Sequence, residues 1–306
     1  MTAHIAILGV FVADTAYRAD RAPKMGETIM GNSFALGPGG KGSNQAVAAA
    51  RAGGKTHFIS KLGRDVFAEM AFAIWSDAGV KPAVTQHDDG YTGAAYIFVE
   101  EATGNNAIII CPGIAATISP ADIEAQSSLI SEASVFVTQL EQPIDAAICA
   151  LEIAKAGGAT TILNPAPATE LPPEIFPLCD YVTPNESEAE SLTGIAVNDV
   201  ASAERAGEAF LELGVGTALI TLGEGGAVLR SADAMFHIPA FSAGPVVETT
   251  GAGDAFNGGF AVALSEGMSG EDAVRFASAT AGISVTRPGT APSMPLRAEI
   301  DALLKS

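Results

Sequence analysis

The sequence predicts an α/β fold built on a mostly parallel sheet, and three observations carry the prediction. Apolar strand-like runs alternate with Ala-rich helical stretches from residue 4 to the C-terminus. The alternation is one of strand and helical crossover, the pattern of parallel pairing. Two stretches, 12–37 and 91–111, break the rhythm and point to strands inserted away from the main sheet. Of the 306 residues 48% are apolar and 17% charged, with Gly and Pro frequent and aperiodic. That composition allows a large core and argues against disordered and fibrous chains. Residues 1–306 read as one domain carrying an insertion.

Taken in order, Ile5-Ala6-Ile7-Leu8 make residues 4–9 a buried strand that stops at Gly9. Residues 12–37 hold no convincing helix, and a Gly-rich turn then opens a helix over 42–52. A strand over 56–61 and a helix over 65–78 follow. Ala94-Ala95-Tyr96-Ile97-Phe98-Val99 and Ala107-Ile108-Ile109-Ile110 flank Thr103-Gly104-Asn105-Asn106, the pattern of a hairpin. Next come a helix over 119–131, a strand over 134–140, a helix over 143–157 and strands over 159–164 and 179–183. Helices over 186–193 and 200–213 lead to strands over 217–222 and 226–230. Helices over 254–266, 270–285 and 296–304 complete the chain, with no internal repeat or low-complexity linker.

The net charge of −19 leaves no basic stripe for a nucleic-acid backbone or an anionic membrane. A nucleotide can still bind where local donors and a cation meet it, because whole-protein charge says little about one pocket. Cys111, Cys149 and Cys179 are odd in number and scattered, which suggests buried free thiols rather than a disulfide framework or a zinc site. The start, Met1-Thr2-Ala3-His4, lacks a basic flank with a cleavable apolar segment, and no apolar run approaches the ~18 residues of a membrane span. The expectation is a cytoplasmic protein.

Four segments carry chemistry. Thr249-Thr250-Gly251-Ala252-Gly253-Asp254 places a small-residue turn before a helix, where free N–H groups and the positive end of the macrodipole meet an anion. Asp254 at the mouth of that hole is a general base for an attacking hydroxyl, or else an ordinary N-cap residue. Gly39-Gly40-Lys41-Gly42-Ser43-Asn44-Gln45-Ala46 opens a second helix with groups suited to a polar substrate. Gly37 to Gly42 also fits G-x-G-x-x-G, but it does not directly follow the first strand, and Gly42 stands where a P-loop needs Ser or Thr. Asn185 and Glu188 share a helical face and can order water around Mg²⁺, or are simply a capped helix start. Thr221-Leu222-Gly223-Glu224-Gly225-Gly226 is a turn that admits a nucleotide.

Together these segments resemble the ribokinase family of carbohydrate kinases, in order and spacing, from the first strand to the C-terminus. Thr250 to Asp254 is similar to the family's C-terminal signature, Gly39 to Ala46 to its N-terminal one, and Asn185 to Glu188 to its N-x-x-E motif. Asn164-Pro165-Ala166-Pro167-Ala168 and Gln139-Leu140-Glu141 add to the likeness. The resemblance implies a three-layer α/β/α core with a small β-sheet lid, formed by about 12–37 and 91–111, that closes over the sugar and forms a homodimer contact. It implies Asp254 as the base, with the amides of Gly251, Ala252 and Gly253 stabilising the transferring phosphoryl group. Asp14, Gly40, Lys41, Asn44 and Glu141 would hold the sugar, while Asn185, Thr221, Gly223 and Ser278 would face ATP. Glu188 would act through Mg²⁺ and its waters, and K⁺ would sit among Glu248, Thr250, Ser284, Arg287, Gly289 and Ser293, mostly on carbonyl oxygens.

Three positions depart from the family pattern. Glu248 stands where Asp is usual, and Gly113-Ile114-Ala115-Ala116 where many members have Gly-Ala-Asn. Gly9-Val10-Phe11-Val12-Ala13-Asp14 replaces Gly-Ser-x-Asn-x-Asp, putting Val12 where the family's Asn meets a sugar hydroxyl. The implied reaction is transfer of the γ-phosphoryl group of ATP to the 5-hydroxyl of D-ribose or 2-deoxy-D-ribose. The alternatives are the same chemistry on fructose, 2-keto-3-deoxygluconate or a nucleoside, and, from another class, a sugar- or nucleotide-binding module without turnover.

Overall fold

A computed structural model describes residues 3–305. The chain begins with β1 (Ile5–Leu8), β2 (Val12–Ala19), β3 (Ser33–Gly39), α1 (Lys41–Arg51), β4 (Thr56–Gly63), α2 (Val66–Ala78) and β5 (Lys81–His87). It continues through β6 (Thr92–Glu100), β7 (Asn106–Gly113), α3 (Pro120–Glu124), α4 (Ser127–Ser131), β8 (Val135–Thr138), α5 (Ile144–Gly157), β9 (Thr160–Leu163) and β10 (Tyr181–Val182). The last part holds α6 (Glu186–Thr193), α7 (Val200–Glu212), β11 (Thr217–Thr221), β12 (Ala227–Ser231), β13 (Met235–Ile238), α8 (Ala252–Ser265), α9 (Gly270–Ser284) and α10 (Arg297–Leu303).

Nine strands form the main sheet in the order β13-β12-β11-β10-β9-β8-β1-β4-β5, parallel from β11 to β5. The two strands beyond β11 run antiparallel. Strand residues alternate between two apolar layers, as a pleated sheet buried on both faces requires. Ile5 and Ile7 pack with α1, α2, α8 and α9, whereas Ala6 and Leu8 pack with α5 and α7. That is the expected three-layer core. Among the described residues no helix is long and apolar enough to cross a membrane.

A second sheet, in the order β3-β2-β6-β7, occupies the two stretches that break the sequence rhythm. β2 runs antiparallel to β3 and parallel to β6, and the expected hairpin is β6 with β7. Strand parity splits the two faces. Val12 and Asp14 lie on one, in register with Gly39 and Gly37, while Tyr17 lies on the other, opposite Phe34.

Several expectations need correction. The helix expected over 119–131 is two short helices, α3 and α4, with a turn at Gln126 between them. Ser119 caps the first through a reciprocal bond with Asp122. β5 and β13 were not foreseen: each is an edge strand of mixed exposure, and Pro82 obscures β5 further. Of the three thiols only Cys179 is buried, since Cys111 lies on the exposed strand β7 of the second sheet and Cys149 is half-buried.

Candidate active site

The site gathers at the carboxyl ends of neighbouring parallel strands, where an open α/β sheet places its ligands. Asn164 follows β9, Thr183 follows β10 and Thr221 ends β11, each backbone N–H still accepted by a carbonyl of an adjacent segment. With Lys41, Ala166, Asn185, Glu188, Gly251, Gly253, Asp254 and Asn257 they line a cavity of about 170 Å³.

Asp254 is not an N-cap. Gly251 caps α8 in the left-handed conformation at φ 84°, so Asp254 falls in the first turn with its side chain free to face inward. A side chain at Gly251 would also press on Thr290, 3.3 Å away. The Asp254 carboxylate accepts Asn44 Nδ2 on Oδ2 at 3.0 Å and Gln45 Nε2 on Oδ1 at 3.1 Å. Burial pushes its pKa up, and Lys41 with the two amides opposes the push. Of the three amides assigned to the anion hole, that of Ala252 donates to Thr249 O at 3.1 Å. The amides of Gly251 and Gly253 have no acceptor among the described residues, and both glycines line the cavity at the positive end of the helix dipole.

Lys41 is the first residue of α1, and its backbone N–H donates to Glu141 Oε2 at 2.7 Å. Gly40 precedes it at φ 87°, where a Cβ would lie 2.4 Å from Val10 O, so only glycine makes this entry. Burial pushes Glu141 up to about 7, with Lys41 opposing, and pushes Asp14 up to about 6. Asp14 does not line the cavity. Its carboxylate lies against Gly39, where a Cβ would come within 2.3 Å, and its charge is felt by Glu141. One ammonium thus serves Glu141, Glu188 and Asp254, leaving the site rich in acceptors for sugar hydroxyls and for a cation.

Asn185 and Glu188 form a reciprocal capping box: Asn185 Oδ1 accepts Glu188 N, and Glu188 Oε2 accepts Asn185 N, both at 2.9 Å. The capped helix start is therefore real, and both residues line the cavity as well. Burial raises the Glu188 pKa, opposed by the Asn185 amide and Lys41. Among the described residues no group of three His, Cys, Asp or Glu could hold a metal. A divalent ion here would keep most of its water, which suits Mg²⁺.

Gly223 and Ser278 do not line the cavity. Gly223 sits at φ 50° in a turn near Glu186, and Ser278 is buried in α9 with its hydroxyl unpaired. The six residues assigned to K⁺ lie on segments that meet beside α8. Glu248 Oε2 accepts Gly289 N at 2.7 Å, and Val247 N donates to Val285 O at 2.8 Å. Arg287 pairs with Glu299, while the hydroxyls of Ser284 and Ser293 turn back to Ala281 O and Thr290 O. Thr250 is exposed next to Gly251.

Several residues of the site had been given no role from sequence. Gln139, Gln45 and Asn164 link side chain to side chain, Asn164 then donates to the backbone carbonyl of Thr183, and the Thr183 hydroxyl donates to Asn257 Oδ1. Asn257 Nδ2 closes the chain on Gly253 O at 2.9 Å. Gln139 and Asn164 directly follow the buried strands β8 and β9, so a polar side chain at a buried strand's end was the available signal for them, while Gln45 lies within α1.

A sequence profile described as "pfkB family carbohydrate kinase" matches residues 2–297. The chain is 38% identical to a ribokinase of Haemophilus influenzae over 296 residues, 96% of each protein. It is 36% identical to a deoxyribokinase of Salmonella typhimurium over 293 residues, 95% of each. Its structure is similar to that of Arabidopsis thaliana ribokinase complexed with ribose and ATP, with a TM-score of 0.94, 32% identity and 100% of both chains covered.

Proposed function

The chain belongs to the pfkB family of carbohydrate kinases, and from that footing we propose that it transfers the γ-phosphoryl group of ATP to the 5-hydroxyl of a pentose, D-ribose or 2-deoxy-D-ribose. The observation that carries the reading is Asp254, held on both oxygens by amide donors in the first turn of α8 beside the free amides of Gly251 and Gly253. In this reading Asp254 takes the proton of the hydroxyl as it attacks, and the two amides meet the charge on the moving phosphoryl group. Positioning and electrostatics supply most of the rate. Asp14, Gly40, Lys41, Asn44 and Glu141 hold the sugar under the second sheet, which acts as a lid. Asn185, Thr221 and Gly223 face ATP, with Ser278 nearby.

Glu188 would hold Mg²⁺ through water, and the ion would neutralise phosphate charge. K⁺ would sit among Glu248, Thr250, Ser284, Arg287, Gly289 and Ser293, and KCl is expected to raise turnover above that in NaCl. Equal rates in the two salts would remove the potassium assignment. Two copies of the chain would associate through their lids.

The deciding experiment is Asp254→Asn, which keeps shape and removes the base. ATP and pentose should still bind by calorimetry while turnover falls by ~10²–10⁴. Near-normal kcat in that variant defeats the assignment. A coupled ADP assay across ribose, deoxyribose, fructose, 2-keto-3-deoxygluconate and nucleosides separates the acceptors.

A further inference from the structure

We propose that Gln45 is a positioning residue for the Asp254 carboxylate, and that Gln139, seated in a slot between Gly9 and Gly42, fixes which way round the Gln45 amide points. The proposal rests on the reading of Asp254 as the base. Gln45 is fully buried; its Nε2 donates to Asp254 Oδ1 and to Asn164 Oδ1, both at 3.1 Å. Its Oε1 accepts Gln139 Nε2 at 2.6 Å.

Asn164 and Asp254 accept only this orientation, so the Gln139 bond holds the Gln45 amide the one way round that serves both. Asn164 Nδ2 donates to the backbone carbonyl of Thr183 at 2.9 Å, so the oxygen of that amide is the atom left for Gln45. An ionised carboxylate only accepts. Turned over, Gln45 would aim its oxygen at two acceptors and its NH₂ at the NH₂ of Gln139.

The slot is the second observation. A Cβ on Gly9 would lie 2.5 Å from Gln139 Oε1, and one on Gly42 would lie 2.7 Å from it. Each such Cβ would also come within 2.7 Å of the other glycine's Cα. Two glycines, one at the end of β1 and one in the first turn of α1, therefore clear the space that the Gln139 amide fills. Gln139 is 0% exposed and its Oε1 has no hydrogen-bond partner. Packing alone favours an apolar side chain there, because a buried amide with an orphaned oxygen is costly. What the amide adds is the bond that orients Gln45. With Asn44 on Oδ2 and Gln45 on Oδ1, the plane of the Asp254 carboxylate is set and its ionised form favoured.

The test compares Gln45→Met and Gln139→Met with wild type and Asp254→Asn, using a coupled ADP assay from pH 5 to 9 on variants shown folded by their melting curves. Gln45→Met is expected to lower kcat by ~10- to 100-fold, the loss of one charge-assisted bond, with KM for ATP and sugar within ~2-fold. The acid limb of kcat/KM should move to higher pH, because burial then raises the carboxyl with less opposing it. Gln139→Met, which does not touch Asp254, should shift both readouts the same way and less. If Asp254→Asn keeps its turnover, the base assignment itself fails. If Asp254→Asn is slow while the folded Gln variants keep wild-type kcat and an unmoved acid limb, the positioning role is overturned and the glutamines only fill space. Should Gln45→Met not fold, Gln139→Met alone decides by the same two readouts.

Discussion

Val12 puts two methyl groups on the face of β2 that also carries Asp14, and it is 4% exposed within the apolar layer beside Leu8, Ile59 and Ala95. If the Asn usual in this family pairs with a ring hydroxyl, Val12 leaves that hydroxyl against methyls at a cost of ~1–3 kcal/mol, or ~5- to 150-fold in kcat/KM. A sugar without the hydroxyl escapes the cost. Val12→Asn is thus expected to move the ratio of kcat/KM from 2-deoxy-D-ribose toward D-ribose, and an unchanged ratio would show that Val12 does not read the sugar. Glu141 gives a second prediction. Its pKa rises from 4.5 unfolded to about 7 folded, chiefly by burial, so the folded state binds its proton more tightly. The resulting stability is full below pH 4.5 and is lost as pH rises to about 7. The stability of wild type minus that of Glu141→Gln should therefore fall by about 3 kcal/mol across this window in urea titrations of the unliganded protein. A flat difference would refute the raised value. Asp254, Lys41 and Glu188 were legible as residues of the cavity because each sits in one short turn at a helix start. Gln45 and Gln139 were not, because their work is done between elements: 94 residues separate the pair, and 119 separate Gln45 from Asn164.

Elements with a helix-length apolar pattern and a Gly-rich start, such as α1 and α8, were legible, as were the central strands with continuous apolar runs. The turn at Gln126 and the edge strands β5 and β13 were not, because each depends on neighbours the local pattern does not display. Within 12–37 the bounds of β2 and β3 were not legible, since Gly37, Pro38 and Gly39 hide the strand pattern of β3. The approach of α1 to the end of β1 is the contact on which the site's geometry depends. Gly42→Ala would set a Cβ 2.7 Å from both Gly9 Cα and Gln139 Oε1, and the first of these is backbone. Overpacking of this kind is expected to cost about 1–3 kcal/mol in urea unfolding. Gly37→Ala is the control, since a Cβ there meets nothing within 4 Å and the residue is not at positive φ. Its stability should match wild type, and equal losses in both variants would mean that the close approach is not what Gly42 is for.

At the scale of the whole molecule, the second sheet carries an exposed apolar face. Tyr17, Phe34, Leu36, Tyr96 and Ile109 share one side of the second sheet by register, and they are 42%, 56%, 47%, 38% and 63% exposed. Tyr17 touches both Phe34 and Tyr96, at ring centroid distances of 5.0 and 5.5 Å, so the patch is contiguous rather than scattered. Contiguous exposed patches of this kind mark interfaces. The occupant consistent with the family expectation is a second copy, whose identical face makes an isologous pair about a two-fold axis. Net charge opposes it: two chains of −19 repel, and the repulsion is screened over ~10 Å at 0.1 M salt. Association should therefore tighten as salt is raised, the reverse of an interface held by ion pairs. Sedimentation equilibrium at micromolar protein is expected to give a dimer in 0.15 M salt and a weaker one at 0.02 M. Tyr17→Glu with Ile109→Glu, which bring unpaired carboxylates into the contact, should give a monomer at every salt concentration, since each costs at least ~1–3 kcal/mol of desolvation. A wild-type chain that sediments as a monomer throughout, or a double variant that still dimerises, would show that the lid does not form the contact.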